Sequence, residues 1–298
     1  MNIQDKITSY LKMNRSPKTI QTYGEALKVY ARLVGDRELT AETYAAFLQK
    51  IKDLNPSTQA LYRSAVRGFY ADASSVPMAE IKRAEKKWVR RRGQRLINFD
   101  RGAIEQVIGY AQELKSGLAA LRDRAFILTL ADTGLRISEA CALRRGDIDR
   151  LEQRALVVGK GDKQAVVRFS RRSLEAIDDY LRARKDAASG KPLASLPLFA
   201  RHDKGAGKKI KPVESGGMWK AVKRRARESG IDPTRIRVHD FRHYFVTILI
   251  LAGGKTEAVR KAARHASSST TSRYIHLLDS EVDELYDEAI NRDGDVKV

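Results

Sequence analysis

One stretch of this chain breaks an otherwise helical rhythm, and it narrows the available folds more than any other feature. Ala155-Leu156-Val157-Val158 and Ala165-Val166-Val167-Arg168-Phe169 are runs rich in β-branched residues. They flank Gly159-Lys160-Gly161-Asp162-Lys163-Gln164, which predicts a hairpin with Gly-Asp at its tip. Ahead of it the apolar residues recur at helical spacing: Ile7, Tyr10, Leu11; Ile20, Tyr23, Leu27, Tyr30; Tyr44, Phe47, Leu48, Ile51; Leu61, Ala65, Phe69. Ser16-Pro17 reads as a helix start, a capping serine with proline at the first helical position, and Asn55-Pro56-Ser57 marks another boundary. Four or five short helices are expected there, with no strand. Further helices are expected at 100–115, 119–132, 136–144, 171–187, 214–229, 239–252, 255–264 and 281–291, with a Gly-, Lys- and Pro-rich loop at 188–212. The fold class is therefore mainly α with a small β-hairpin or sheet.

Charge divides the chain. Residues 82–95 hold eight basic residues and one acidic one, Glu85. A length of 298 residues suits two domains, at about 100–200 residues each. The expected division is a helical domain at 1–81, a basic linker at 82–98 and a second domain at 99–298. The run reads either as a solvated helix face or as a strap along a phosphate backbone. In the second reading Lys82, Arg83, Lys86, Lys87, Arg90, Arg91 and Arg92 make the contacts. The whole chain carries 57 Lys and Arg against 37 Asp and Glu, a formal charge of +20, which favours a polyanionic partner, most simply nucleic acid. A lone cysteine, Cys141, excludes an intrachain disulfide and a Cys-rich zinc module. The longest apolar run, 244–252, is too short to span a bilayer, and the N-terminus has no signal-peptide core. The expectation is a soluble cytoplasmic protein with no membrane partner.

Four local signals bear on chemistry. Thr133-Gly134-Leu135-Arg136-Ile137-Ser138-Glu139 ends one helix at Gly134 and opens the next, setting Arg136 at a helix start. Its fork either binds an anion or simply pairs with Glu139 three residues on. The hairpin tip carries Lys160 and Lys163, either soluble decoration or groups reaching into a nucleic-acid groove to protonate a leaving oxygen. His239-Asp240-Phe241-Arg242-His243 opens an apolar helix with His239, Arg242 and His243 on one face, suited to phosphate chemistry. A zinc reading of His239 and His243 fails, because the metalloprotease glutamate is missing and an arginine lies on the ligand face. Finally, Arg264-His265-(eight residues)-Tyr274 places a phenol among cations. Tyrosine is ordinarily half-buried core, and as a nucleophile its pKa of about 10 must be offset by such neighbours.

In order and spacing these signals resemble the tyrosine recombinase (phage integrase) family. Arg136, Lys160, His239-x-x-Arg242, His265 and Tyr274 follow the family's sequence of catalytic positions, and the GKGDK turn favours Lys160 over Lys163. Ser16, Thr19 and Tyr23 match the opening of its helical core-binding domain. The chain departs from the pattern at Arg264, where the family usually has glycine, and at Phe241, where leucine is commoner. With nothing ahead of the core-binding-like half, it is similar to Xer-like or mobile-element members that have no arm-binding module.

The resemblance implies an N-terminal SAM-like core-binding bundle and a C-terminal mixed α/β catalytic domain. It implies a site-specific recombinase or integrase acting on double-stranded DNA through a 3′-phosphotyrosyl link, with no metal, ATP or other cofactor. Tyr274 is the implied nucleophile, Arg136 and Arg242 the phosphate clamp, and Lys160 the donor to the leaving 5′-oxygen. His239 assists proton transfer and His265 hydrogen-bonds the phosphate. A type IB topoisomerase or telomere resolvase shares this chemistry, and a catalytically silent DNA-binding regulator is the alternative of another class. Residues 279–298 hold eight acidic and two basic residues, and Val282, Leu285, Tyr286, Ala289 and Ile290 follow helical spacing. An acidic helix of this kind suits docking on a basic catalytic domain, either its own or that of a neighbouring copy; exchange between copies is what the resemblance implies, with a homo-oligomer on DNA, a tetramer with exchanged C-terminal helices. Accessory DNA-bending proteins and association with the nucleoid are further expectations.

Overall fold

The computed structural model describes residues 2–13, 16–35, 37–88, 99–158, 164–186, 190–206, 210–264 and 274. Two compact units divide the chain, Met1–Gly93 and Gln94–Val298.

The first unit is a bundle of α1 (Ile3–Lys12), α2 (Pro17–Val34), α3 (Ala41–Lys50), α4 (Pro56–Ala73) and α5 (Met78–Trp88). Both proline-marked starts form as the sequence suggests. Ser16 Oγ accepts from the Thr19 N–H at 3.2 Å, and Asn55 Oδ1 from the Ser57 N–H at 3.0 Å, each leaving the proline where no donor is needed. The core is aromatic. Tyr30 meets Phe47 edge-on at 5.4 Å, and Tyr44 meets Tyr70 at 5.2 Å. Their buried hydroxyls are paired: Tyr30 with Tyr70 at 2.5 Å, and Tyr70 with the Thr40 carbonyl at 2.9 Å.

Residues 82–88, expected to begin a linker, are instead the second half of α5. Two inward-facing residues one helical turn apart hold it to the bundle. Ile81 is fully buried, and Glu85 accepts from Tyr44 Oη at 2.6 Å and Arg67 Nη1 at 3.0 Å. Lys82, Arg83 and Lys86 are exposed.

The second unit is built around α7 (Leu118–Thr133), buried nearly all round from Leu121 to Thr133. Packed with it are α6 (Arg101–Gln112), α8 (Ile137–Ala142), α9 (Arg171–Arg184), α10 (Ser215–Glu228), α11 (Asp240–Leu251) and α12 (Thr256–Ala262). The predicted hairpin is β2 (Arg154–Val158) with β3 (Gln164–Arg168), antiparallel with Leu156 opposite Val166. A two-residue strand, β1 (Ile148–Asp149), adds to β2 and makes a three-stranded sheet. Ala155, Val157 and Val167 face the core, as alternation requires. Cys141 on α8 is buried beside Ala140, and burial pushes its thiol up to about 11. Tyr180 Oη and His202 Nε2 share a hydrogen bond of 2.8 Å beneath a cavity of about 550 Å³ lined by α10 and by Arg122, Arg201 and His202. Among the described residues no helix is long and apolar enough to cross a membrane.

Candidate active site

Helix α7 ends on Gly134 at φ +60°, ψ +20°, a left-handed cap that turns the chain sharply into α8. The turn is closed by Thr133, whose hydroxyl donates to the Thr129 carbonyl and accepts from the Leu135 N–H. A Cβ on Gly134 would lie 2.4 Å from Phe245 Cδ1, so α11 approaches this turn closely. Arg136 caps α8. Its N–H donates to Glu139 Oε2 at 2.9 Å and its Nη1 to Oε1 at 2.7 Å. The ion pair foreseen as the plain alternative therefore forms, and 42 % of the Arg136 side chain still faces solvent.

Arg242 enters from α11 and is buried. Its Nη1 donates to the Gly134 carbonyl at 2.6 Å and its Nη2 to the Ala263 carbonyl. Among the described residues it has no carboxylate partner within ion-pair distance. Burial, with the Arg136 and Arg264 charges beside it, lowers it to about 10, so it stays charged at neutral pH. A buried guanidinium held by carbonyls alone is a ready anion site. His239 caps α11, and burial together with the Arg136 and Arg242 charges holds it below the ordinary histidine range, hence neutral at pH 7.

Tyr274 is 1 % exposed, its ring packed with Val246, Ile250, Val259 and Ala263. Its hydroxyl is hydrogen-bonded to His243 Nδ1. The His243 ring also lies 6.0 Å from Phe99. Ala263 links phenol and clamp: its carbonyl takes Arg242 while its side chain packs in the tyrosine's cluster.

The fold thus gathers Arg136, His239, Arg242 and Tyr274 from α8, α11 and the segment beyond α12. Lys160, Lys163 and His265 lie outside the described residues, as do Arg90, Arg91, Arg92 and the expected helix at 281–291; of Lys87 only the backbone is described. Sequence reasoning did not assign His243 as the partner of Tyr274, although its place one residue past Arg242 was a signal. Nor did it foresee the double use of Glu139, which also accepts from Arg264 Nη2 at 2.8 Å. Arg264 adopts φ +55°, a left-handed conformation that costs a non-glycine residue on the order of 1 kcal/mol. Burial pushes the Glu139 carboxyl up, yet the Arg136 N–H and guanidinium, with Arg264, hold it below the usual carboxylate range. Among the described residues no group of three or more His, Cys, Asp or Glu could hold a metal ion.

Residues 98–281 match the model of the phage integrase family, and residues 7–75 match that of the phage integrase N-terminal SAM-like domain. A tyrosine recombinase XerC of Leptospira interrogans is 27 % identical over 95 % of this chain and 91 % of its own length. A tyrosine recombinase XerD of Corynebacterium glutamicum is 33 % identical over 56 % of this chain and 52 % of its own. Among solved structures, a XerH site-specific recombinase bound to a palindromic difH substrate superposes with a TM-score of 0.70 at 21 % identity, covering 92 % of this chain and 80 % of that one. A Tn1549 transposon integrase in complex with a circular intermediate DNA gives 0.67 at 16 % identity, covering 92 % and 95 %.

Proposed function

This chain belongs to the phage integrase family, and from that premise we propose that it is a site-specific DNA recombinase whose nucleophile is Tyr274. The observation that carries the reading is Arg242: a buried cation with no carboxylate in ion-pair distance among the described residues, beside Arg136 and one shared alanine away from a phenol. Such a pocket is matched to a phosphodiester. Tyr274 Oη attacks phosphorus, the Oη–P bond forms and the P–O5′ bond breaks, leaving a 3′-phosphotyrosyl link and a 5′-hydroxyl. Arg136 and Arg242 hold the non-bridging oxygens as charge builds on them. His239, neutral at pH 7, takes the phenol's proton, Lys160 supplies one to the departing oxygen, and His265 hydrogen-bonds the phosphate. The bond energy is kept in the link, and rejoining to another strand completes recombination.

The hydrogen bond of Tyr274 to His243 belongs to a resting arrangement. The phenol must exchange that partner for the phosphate. The basic strap, Lys82, Arg83, Lys86 and Lys87 on α5 with Arg90, Arg91 and Arg92 beyond, follows the DNA backbone between a core-binding domain and a catalytic domain. Lys163 makes a further phosphate contact. The pattern and charge of residues 279–298 support exchange of that segment between copies in a tetramer on DNA.

The test is a nicked suicide duplex carrying a site selected from a random library by binding, incubated in EDTA. Wild type is expected to form a covalent protein–DNA adduct and Tyr274→Phe none. An adduct with the phenylalanine variant, or none with wild type, rejects the proposal. Relaxation of supercoiled plasmid without recombinant products would turn the reading towards a topoisomerase.

A further inference from the structure

Arg264 stands just past the C-cap of α12, its N–H bonded to the Lys261 carbonyl at 3.0 Å. A left-handed residue at this place is ordinarily glycine, because glycine alone adopts it without strain. The backbone gains nothing from arginine here, so the reason for arginine lies in its side chain. That side chain is only 10 % exposed and runs back to Glu139, 125 positions earlier. Its Nε, also buried, has no acceptor among the described residues, so the Glu139 contact is what fixes its place.

Glu139 has two guanidinium partners of different character. Arg136 is 42 % exposed and Arg264 10 %. The carboxylate itself is 6 % exposed. If Arg136 were its only partner, turning that fork towards a phosphate would strand a buried negative charge, which is strongly unfavourable. With Arg264 in place, Glu139 keeps one charge-assisted bond and the Arg136 backbone N–H while the Arg136 guanidinium leaves.

We infer that Arg264 is a positioning residue that neutralises Glu139 and so releases Arg136 to bind the scissile phosphate. This rests on the recombinase reading of Arg136. It assigns a role to a position at which the family pattern has no side chain. Without Arg264, Glu139 competes with the phosphate for Arg136.

The experiment is single-turnover cleavage of the nicked duplex by the full chain, with DNA affinity measured in parallel. Arg264→Gly is expected to slow adduct formation at least tenfold while DNA affinity changes less than threefold. Arg264→Lys is expected to keep part of the rate. Adding Glu139→Gln to Arg264→Gly removes the competing charge but keeps an acceptor for the Arg136 N–H, and is expected to restore the rate several-fold. A purely structural role predicts the opposite, since a second substitution in a damaged site only slows it further. Cleavage by Arg264→Gly within twofold of wild type, or no recovery in the double variant, overturns the inference. Failure of wild type to form an adduct is a separate result, and rejects the recombinase reading instead.

Discussion

Replacing Gly134 by alanine perturbs the one backbone position that serves both the turn between α7 and α8 and the seat of Arg242. Two costs follow from the geometry. At φ +60° an L-residue is disfavoured by about 1–2 kcal/mol relative to glycine. The new methyl would also lie 2.4 Å from Phe245 Cδ1 and 3.0 Å from Cε1 and Cγ, so the ring must move, and overpacking of this kind costs about 1–3 kcal/mol. Together the second unit should lose about 2–5 kcal/mol. Phe245 packs against the cluster that holds Tyr274, and the Gly134 carbonyl holds Arg242, so adduct formation should fall as well. The chain has two tryptophans, Trp88 in the first unit and Trp219 in the second. A Trp88→Phe background therefore lets Trp219 fluorescence report urea unfolding of the second unit alone. Gly109→Ala is the control: it lies within α6 with nothing within 4 Å of a new Cβ, and should stabilise by about 0.5–1 kcal/mol. Combining Gly134→Ala with Phe245→Ala should recover the steric share, a coupling of about 1–3 kcal/mol. A loss below about 0.5 kcal/mol, or additivity with Phe245→Ala, would refute the reasoning.

Three further expectations concern other parts of the chain. Burial and the charges of Arg122 and Arg184 lower His202 to about 4, so the unfolded chain takes up this proton first as pH falls. Its contribution is complete above about pH 6.5 and lost towards pH 4, and His202→Gln should flatten that limb of the pH–stability curve by about 1–3 kcal/mol; an unchanged limb rejects this. Glu85→Ala should destabilise the first unit by about 1.5–3 kcal/mol, read from Trp88 in a Trp219→Phe background, because Tyr44 and Arg67 lose a shared acceptor. Replacing Lys82, Arg83 and Lys86 together by alanine should lower the slope of log affinity against log salt by about 2–3, and an unaltered slope removes them from the DNA contact.

Much of this architecture is legible in the sequence because local chemistry decides it. Ser16-Pro17 and Asn55-Pro56 carry their own caps, and the β-branched runs of β2 and β3 bear the period of a half-buried strand. β1 is not legible, since two residues carry no period and their pairing with β2 is a tertiary event. Residues 82–88 read as linker because five charges mask the single turn from Ile81 to Glu85 that binds α5 to the bundle. At the site, Arg136, His239, Arg242 and Tyr274 stand out by type and spacing. The choice of His243 as phenol partner depends on how α11 packs beside Phe99, which no spacing encodes. The pairing of Glu139 with Arg264 likewise joins residues that only the folded chain brings together.

The buried Cys141 has a practical consequence. Alkylating agents and peroxide attack the thiolate, and this sulfur is both shielded and held largely protonated at neutral pH. The folded second unit therefore presents no competing sulfhydryl. A cysteine introduced at an exposed position such as Lys86 on α5 can carry a fluorophore or crosslinker at that site alone, without first removing the native one.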